Sequence, residues 1–192
     1  MTPEDRKRIL QTYYDPHHAA LTQAVDDALA EAGACLIIDV HSFPSKPLPY
    51  ELDQSPDRPE FCIGFDDFHG AFLADGSWND ACRCAGLQGA ANRPFPGSIV
   101  PTKHWKRSSN ALSAMIEVRR DLYMDEETGR KLDRFDNVKL LLADLFRRLG
   151  KASDRGGRTG ASLGASLSAT RAARLGERGR WGVSSDREGV GA

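Results

Sequence analysis

The chain has 192 residues, 40% of them hydrophobic, which is enough for one α/β domain with a core of its own. Its formal net charge is −1 at pH 7, so no overall field draws it to nucleic acid or to a membrane surface. No apolar run approaches the length of a transmembrane helix, and the first ten residues lack the apolar centre of a secretory signal. The four cysteines show neither CxxC pairing nor the spacing of a secreted scaffold, which predicts free thiols and a cytoplasmic protein.

The first elements predicted along the chain are a helix and a strand. Asp15 and Pro16 predict a helix start, with Asp15 as the N-cap and Pro16 at the first helical position. Gly33 is a candidate C-cap for this helix. The apolar positions between them recur at helical spacing: Leu21, Val25, Ala28, Leu29 and Ala32. Residues 34–40 form a short, continuous apolar run, which favours a buried, parallel strand.

The middle of the chain predicts two more strands and a short helix. A Pro-rich loop covers residues 44–59, and a second strand follows at 60–64. Ser77 is a candidate cap for a short helix across residues 78–87. A third strand is predicted at 111–118, where apolar side chains alternate with Ser, Met and Glu.

The chain changes character near Gly150. An apolar stripe at helical spacing predicts a last helix near residues 133–149, ended by Gly150. Residues 151–192 are rich in Gly, Ser, Ala and Arg, with Trp181 as the one aromatic, and they are predicted to be a disordered tail. Residues 1–150 are therefore the predicted domain, an α/β layer fold with a mostly parallel sheet flanked by helices.

Two predicted strand ends carry groups suited to catalysis, because functional residues in open α/β sheets gather at the carboxyl ends of strands. Asp39 and His41 lie two positions apart and share one face of the first strand. Oriented by a nearby carboxylate, the imidazole of His41 can bind a divalent metal, or His41 can cap the strand by hydrogen bonds. Glu117 lies late in the third strand, where it can act as a general base or pair with the neighbouring Arg119 or Arg120.

The loop at 92–97 supplies a third candidate. Arg93 is suited to bidentate recognition of a carboxylate, although an exposed loop arginine can equally have a solvated role. Rival catalytic patterns are weak. Ser42 is not set in a G-x-S-x-G turn, and the sequence contains neither a P-loop, a G-x-G-x-x-G fingerprint nor an H-E-x-x-H metal pair.

These residues stand in stretches that resemble the N-formylglutamate amidohydrolase family of zinc hydrolases. The order and spacing of five stretches carry the resemblance, which extends to about Leu149 and leaves out the tail. The stretches are residues 14–21 (Tyr-Asp-Pro-His-His-Ala-Ala-Leu), 36–44 (Leu-Ile-Ile-Asp-Val-His-Ser-Phe-Pro), 58–64 (Arg-Pro-Glu-Phe-Cys-Ile-Gly), 92–97 (Asn-Arg-Pro-Phe-Pro-Gly) and 115–126 (Met-Ile-Glu-Val-Arg-Arg-Asp-Leu-Tyr-Met-Asp-Glu).

The resemblance implies a zinc-peptidase-like, carboxypeptidase-like fold and a metal-dependent hydrolysis of the amide of an N-acyl-glutamate. The products would be formate and glutamate, as in histidine catabolism, and the partner would be a small N-acyl amino acid rather than a nucleic acid or membrane. By this resemblance His41 is a zinc ligand and Glu117 the general base or acid. Arg93 and Arg120 hold the substrate's carboxylates, Asn92 and His18 belong to the same substrate site, and the exact role of His18 stays open.

The sequence also departs from the family pattern. Family members carry an upstream segment with a Pro-His-Ser-Gly-like motif and an acidic partner that help to form the metal site. This sequence begins just before the stretch at 14–21, which predicts a fold incomplete on its N-terminal side and an incomplete set of ligands. Arg119 stands where the family commonly has Asn. The alternative hypothesis is therefore a truncated, inactive family fragment or a carboxylate-binding module.

Overall fold

The structure is a computed structural model that describes residues 1–76, 78–84 and 87–156. The predicted cap Ser77 and most of the predicted tail lie outside these residues. The helices are α1 (Pro3–Ile9), α2 (Asp15–Ala32), α3 (Asn79–Cys84) and α4 (Phe135–Gly156). The strands are β1 (Cys35–Phe43), β2 (Phe61–Gly64), β3 (Gly89–Ala91) and β4 (Ala111–Arg119).

The four strands form one mixed sheet in the order β1-β4-β2-β3. β1 pairs with β4 in parallel, β2 pairs with β3 in parallel, and β2 pairs with β4 antiparallel. The α/β prediction and the mostly parallel sheet are therefore confirmed. The prediction that the first strand is buried is wrong: among the described residues β1 is an edge strand, and its Val40 is 48% exposed.

The N-terminal helix differs from its prediction at its start. A capping box between Thr2 and Asp5 begins the helical run, so the prediction of Asp15 as N-cap is wrong. A π-helical turn at Leu10–Tyr14 joins α1 to α2, and Tyr14 is itself helical. Pro16 lacks the N–H that an α-helix needs, and a widened turn before it accommodates that loss. The predicted C-cap is confirmed, since Gly33 is left-handed with φ 73°.

The core lies between α4 and one face of the sheet. Ala114, Ile116 and Val118 of β4 face the helix, whose predicted apolar stripe supplies the fully buried Leu145 and Leu149. The prediction that Gly150 ends this helix is wrong, because α4 continues to Gly156. Glycine lowers helix propensity without forbidding the helix, and the hydroxyl of the buried Ser153 bonds the Gly150 carbonyl oxygen at 2.7 Å.

The start of β4 is fixed by a buried histidine that is not part of the site. His69 is completely buried, and its Nδ1 lies 2.7 Å from the carbonyl oxygen of Ala111. Its Nε2 accepts the backbone N–H of Lys106 at 2.8 Å, so Nδ1 must carry the proton of the neutral ring. The His69 carbonyl oxygen also accepts the N–H of Ser113. These bonds tie two loops to β4 below the candidate site.

Candidate active site

Strand register brings the predicted catalytic residues onto one face of the sheet. His41 on β1 pairs with Glu117 on β4, and Cys62 on β2 pairs with Glu117 from the other side. Paired residues of neighbouring strands project from the same face, and Asp39, two residues before His41, shares it. The face is the one opposite the α4 core, so the candidate site and the core use alternate residues of the same strands.

His41 and Asp39 form a contact at the edge of the sheet. Nε2 of His41 lies 2.9 Å from Oδ2 of Asp39, and the side chain of His41 is 50% exposed. With Nε2 turned to the carboxylate, Nδ1 is the ring nitrogen that can offer its lone pair to a metal. The structure therefore places the Asp39 carboxylate where it can orient the His41 ring, as the strand spacing predicted.

Glu117 is the most unusual ionisable group on this face. The residue is only 7% exposed, and its Oε2 has no hydrogen-bond partner among the described residues. Burial raises the pKa of Glu117; the charge of His41 is the largest effect that opposes it, followed by Arg120 and Arg58, while Asp39 adds to the rise. A carboxyl group tuned in this way can take and return a proton nearer to neutral pH than an exposed glutamate can.

Arg120 follows β4 and is held against the end of β1. Its Nε donates to the hydroxyl oxygen of Ser42 at 3.1 Å, and its Nη2 donates to the Ser42 carbonyl oxygen at 3.0 Å. The guanidinium is half-buried. It bonds Ser42, the residue that follows His41 in the sequence, and it acts electrostatically on Glu117. Arg119 points elsewhere: its Nε donates to Asp121 at 2.8 Å and its Nη1 to the Arg58 carbonyl oxygen at 2.6 Å.

The loop at 92–97 lies against β2. Oδ1 of Asn92 accepts the N–H of Phe65 at 2.9 Å and that of Gly97 at 3.2 Å, so this side chain shapes the loop. Asn92 itself has a left-handed backbone with φ 54°, a conformation that asparagine tolerates well. Arg93 is half-exposed, with Nη2 on the carbonyl oxygen of Asp57 and 3.6 Å from its carboxylate. The loop thus places Arg93 at the rim of the site.

His18 is the predicted site residue that the structure places on a helix instead of a strand end. It lies in α2, with its ring 4.0 Å from that of Tyr14 and 5.3 Å from that of His17. The structure thus brings His41, Glu117 and Arg120 together, sets Arg93 and Asn92 on an adjoining loop, and leaves His18 in a cluster of aromatic rings.

A buried arginine that the sequence did not single out completes the face. The side chain of Arg58 is 2% exposed, its charge acts on Glu117, and its Nη2 lies 2.6 Å from Oε2 of Glu51. Its guanidinium lies over the rings of Phe43 and Phe95, at 5.0 and 5.7 Å from their centres. Arg58 stands in one of the matching stretches, but nothing in a Pro-rich loop signals that an arginine will be buried.

An apolar groove of about 400 Å³ also adjoins His41. It runs between the edge strand and α4, and its walls include Val40, Tyr123, Phe135 and Phe146. Val40, which is half-exposed on β1, forms part of the wall of this groove.

Comparisons with known proteins agree on one family. The N-formylglutamate amidohydrolase family profile matches residues 1–124. An N-formylglutamate deformylase of Pseudomonas putida is 28% identical over 128 residues, which cover 64% of this chain and 46% of that protein. The crystal structure of an N-formylglutamate amidohydrolase from Ralstonia eutropha JMP134 superposes with a TM-score of 0.69 and 29% identity, covering 81% of this chain and 56% of that one.

The chain thus spans about half the length of the relatives that it matches. No helix among the described residues is both long enough and apolar enough to cross a membrane. The family profile covers more than half of the chain. The chain belongs to the N-formylglutamate amidohydrolase family.

Proposed function

We propose that this chain carries the catalytic face of an amidohydrolase that cleaves the formamide of N-formylglutamate to formate and glutamate. The observation that carries this proposal is the placement of Glu117, a buried carboxyl group with one unpartnered oxygen, directly across from His41 on paired strands. The family membership and the two named relatives support the same reaction. We also propose the zinc-peptidase-like fold and the role in histidine catabolism that the family implies.

Glu117 is the proton carrier in this proposal. As a carboxylate it accepts a proton from the water whose oxygen attacks the formyl carbon, and it then donates that proton to the leaving amide nitrogen. The C–N bond breaks, the carbonyl carbon leaves as formate, and glutamate leaves with its amino group. The raised pKa of Glu117 suits this role, because the same group must both bind and release the proton.

The arginines bind the substrate's carboxylates. Arg120 is pre-oriented by its two bonds to Ser42, so little side-chain entropy is lost when it binds. Arg93 reaches the same face from the rim, where the exposed carbonyl oxygen and carboxylate of Asp57 compete for it. Asn92 keeps its amide nitrogen for a ligand, since its oxygen is engaged in the loop. His18 remains a predicted substrate-binding residue.

Zinc is the proposed cofactor, and His41 is the proposed ligand within this chain. A zinc site needs at least three protein ligands, and the described residues contain no group of three His, Cys, Asp or Glu side chains able to hold a metal. The described part of the chain thus does not fit a complete zinc site. This observation favours the second candidate function, a carboxylate-binding module of the same family without hydrolytic activity.

A single preparation separates the two functions. The zinc content of the purified chain and its release of formate from N-formylglutamate are measured together. Stoichiometric zinc, and turnover that Glu117→Gln reduces at least about a hundredfold, would support the hydrolase. The exposed Glu127→Gln is the matched control and should leave turnover unchanged. Binding of N-formylglutamate without zinc or formate would support the binding module instead.

The compartment is proposed on the cysteines. All four are free thiols: Cys35, Cys62, Cys82 and Cys84. Free cysteines persist in a reducing environment, so a cytoplasmic location is proposed for this chain.

A further inference from the structure

Arg58 is buried without the hydrogen bonds that a buried guanidinium needs. Its Nε, Nη1 and Nη2 are all inaccessible to solvent, and none of them donates a hydrogen bond among the described residues. Arginine is almost never fully buried unless it is paired, because its charge and its five N–H groups lose their water. The unfilled donors indicate that the side chain is positioned for a group other than its present neighbours.

Its present neighbour is Glu51, which makes a charge contact of poor geometry. Nη2 of Arg58 and Oε2 of Glu51 are 2.6 Å apart with both side chains at most 5% exposed, yet the pair lacks the alignment of a hydrogen bond. A carboxylate that satisfied this guanidinium would accept two parallel N–H bonds. Glu51 therefore neutralises the charge of Arg58 without using its directional donors.

Aromatic rings hold the Arg58 guanidinium in a fixed orientation. The rings of Phe43 and Phe95 lie within 5.7 Å of it and meet each other edge to face. A guanidinium held against aromatic faces presents its fork of donors in one plane, which a lysine ammonium in the same place could not do. Phe43 ends β1 on the face shared with His41 and Glu117, so this plane adjoins the proposed catalytic residues.

The hydrogen bonds that shape the turn carrying Glu51 stay within the turn, and its contact with Arg58 links it to the buried face. Its neighbours Tyr50 and Leu52 are 81% and 103% exposed, so neither side chain anchors the turn. The bonds that shape the turn are internal, since the side-chain nitrogen of Gln54 donates to the carbonyl oxygens of Leu48 and Glu51. The turn can therefore move outward as a unit once the contact between Glu51 and Arg58 is broken.

We infer that Arg58 is a carboxylate-binding residue of this site and that Glu51 occupies its place until a ligand carboxylate displaces it. The ligand class is a dicarboxylate of glutamate length, and this choice rests on the proposed function. An incoming carboxylate forms two hydrogen bonds with Arg58, and the displaced Glu51 moves out into the water that already surrounds Tyr50 and Leu52. Arg58 is then the innermost carboxylate anchor, deeper than Arg93 at the rim.

The test measures binding of glutarate, a dicarboxylate without an amide to cleave, by titration calorimetry on the full chain. Glu51→Gln removes the competing carboxylate and should lower the Kd for glutarate about tenfold. Arg58→Lys should raise that Kd at least tenfold, whereas Arg130→Lys, an exposed matched control, should leave it unchanged. A Kd for Glu51→Gln equal to or higher than that of the parent would overturn the inference, as would a chain that binds no glutarate.

Proteolysis of the parent chain gives a second readout, needed if Glu51→Gln does not fold. Saturating glutarate should speed chymotrypsin cleavage after Tyr50 at least threefold, because the turn is released, while an unchanged or slower cleavage would overturn the inference. The two proposals can fail separately. Formate release with an unaltered Kd in Glu51→Gln removes only this inference, whereas tighter glutarate binding without formate release removes only the hydrolase.

Discussion

Replacing Glu117 with glutamine should stabilise the folded chain relative to the parent, and increasingly so as the pH rises. In the parent, Glu117 is only 7% exposed, and its Oε2 has no hydrogen-bond partner among the described residues. Burial raises its pKa above the ordinary value of 4.5 despite the opposing charges of His41, Arg120 and Arg58. Ionising Glu117 therefore costs more in the folded chain than in the unfolded chain, and glutamine does not ionise.

The sign of the effect follows from proton linkage. An acid whose pKa is raised by folding binds its proton more tightly in the folded chain, so its contribution to stability is complete below pH 4.5. That contribution is lost as the pH rises through the raised folded pKa. The difference in unfolding free energy, variant minus parent, should grow across that window by about 1.4 kcal/mol for each unit of pKa shift.

Urea unfolding followed by circular dichroism, at intervals from about pH 4.5 to pH 8, measures this difference. A chelator keeps metal away from His41, and an unchanged m-value shows that the variant alters stability rather than the denatured state. Carboxyl groups distant from Glu117 titrate alike in both proteins and cancel in the difference. A difference that stays flat or shrinks as the pH rises would refute the claim that burial controls Glu117.

Three further predictions concern the scaffold. When the thiols are alkylated at pH 8 and the products are read by peptide mass spectrometry, the exposed Cys84 should react and Cys82 should not. Burial raises the pKa of Cys82 to about 11, which leaves about one Cys82 side chain in a thousand as thiolate at that pH. Equal alkylation rates would contradict this. Leu145→Ala should cost about 2–5 kcal/mol of unfolding free energy, against at most about 0.5 for Leu140→Ala, whose side chain is 69% exposed. His69→Leu should cost about 2–5 kcal/mol, because it leaves the buried Ala111 carbonyl oxygen and the part-buried Lys106 N–H without their partner. A loss below about 1 kcal/mol would show that water replaces the ring.

Local patterns predicted the elements whose causes are local. The left-handed Gly33, the apolar run of β1, the alternation in β4 and the stripe of α4 are each visible within one stretch of sequence. Elements whose causes are distant were missed. β3 consists of three small residues, and it is a strand because it pairs with β2. Its first residue, Gly89, lies so close to Trp78 that a side chain at this position would meet the indole.

The exposure of β1 shows the same limit from the opposite direction. Its apolar composition is typical of a strand covered on both sides, and only the sheet order reveals that the described residues leave one edge of it unpaired. Sequence spacing placed Asp39 and His41 on one face correctly, because that depends only on the two-residue period of a strand. It could not set the register of β1 against β4, which is what places Glu117 next to His41.

The charges around Glu117 illustrate why the site could be located but not described from sequence. Arg58 lies 59 positions before Glu117 in the chain, and its charge reaches that carboxyl group only because Phe43, Phe95 and Glu51 bury it there. If a ligand carboxylate replaces Glu51 as inferred, one negative charge is exchanged for another beside Arg58. The balance of burial and charge that sets the Glu117 pKa is then preserved when the substrate binds. A neutral ligand could not make that exchange, so under the two proposals the arrangement around Glu117 also selects for an anionic substrate.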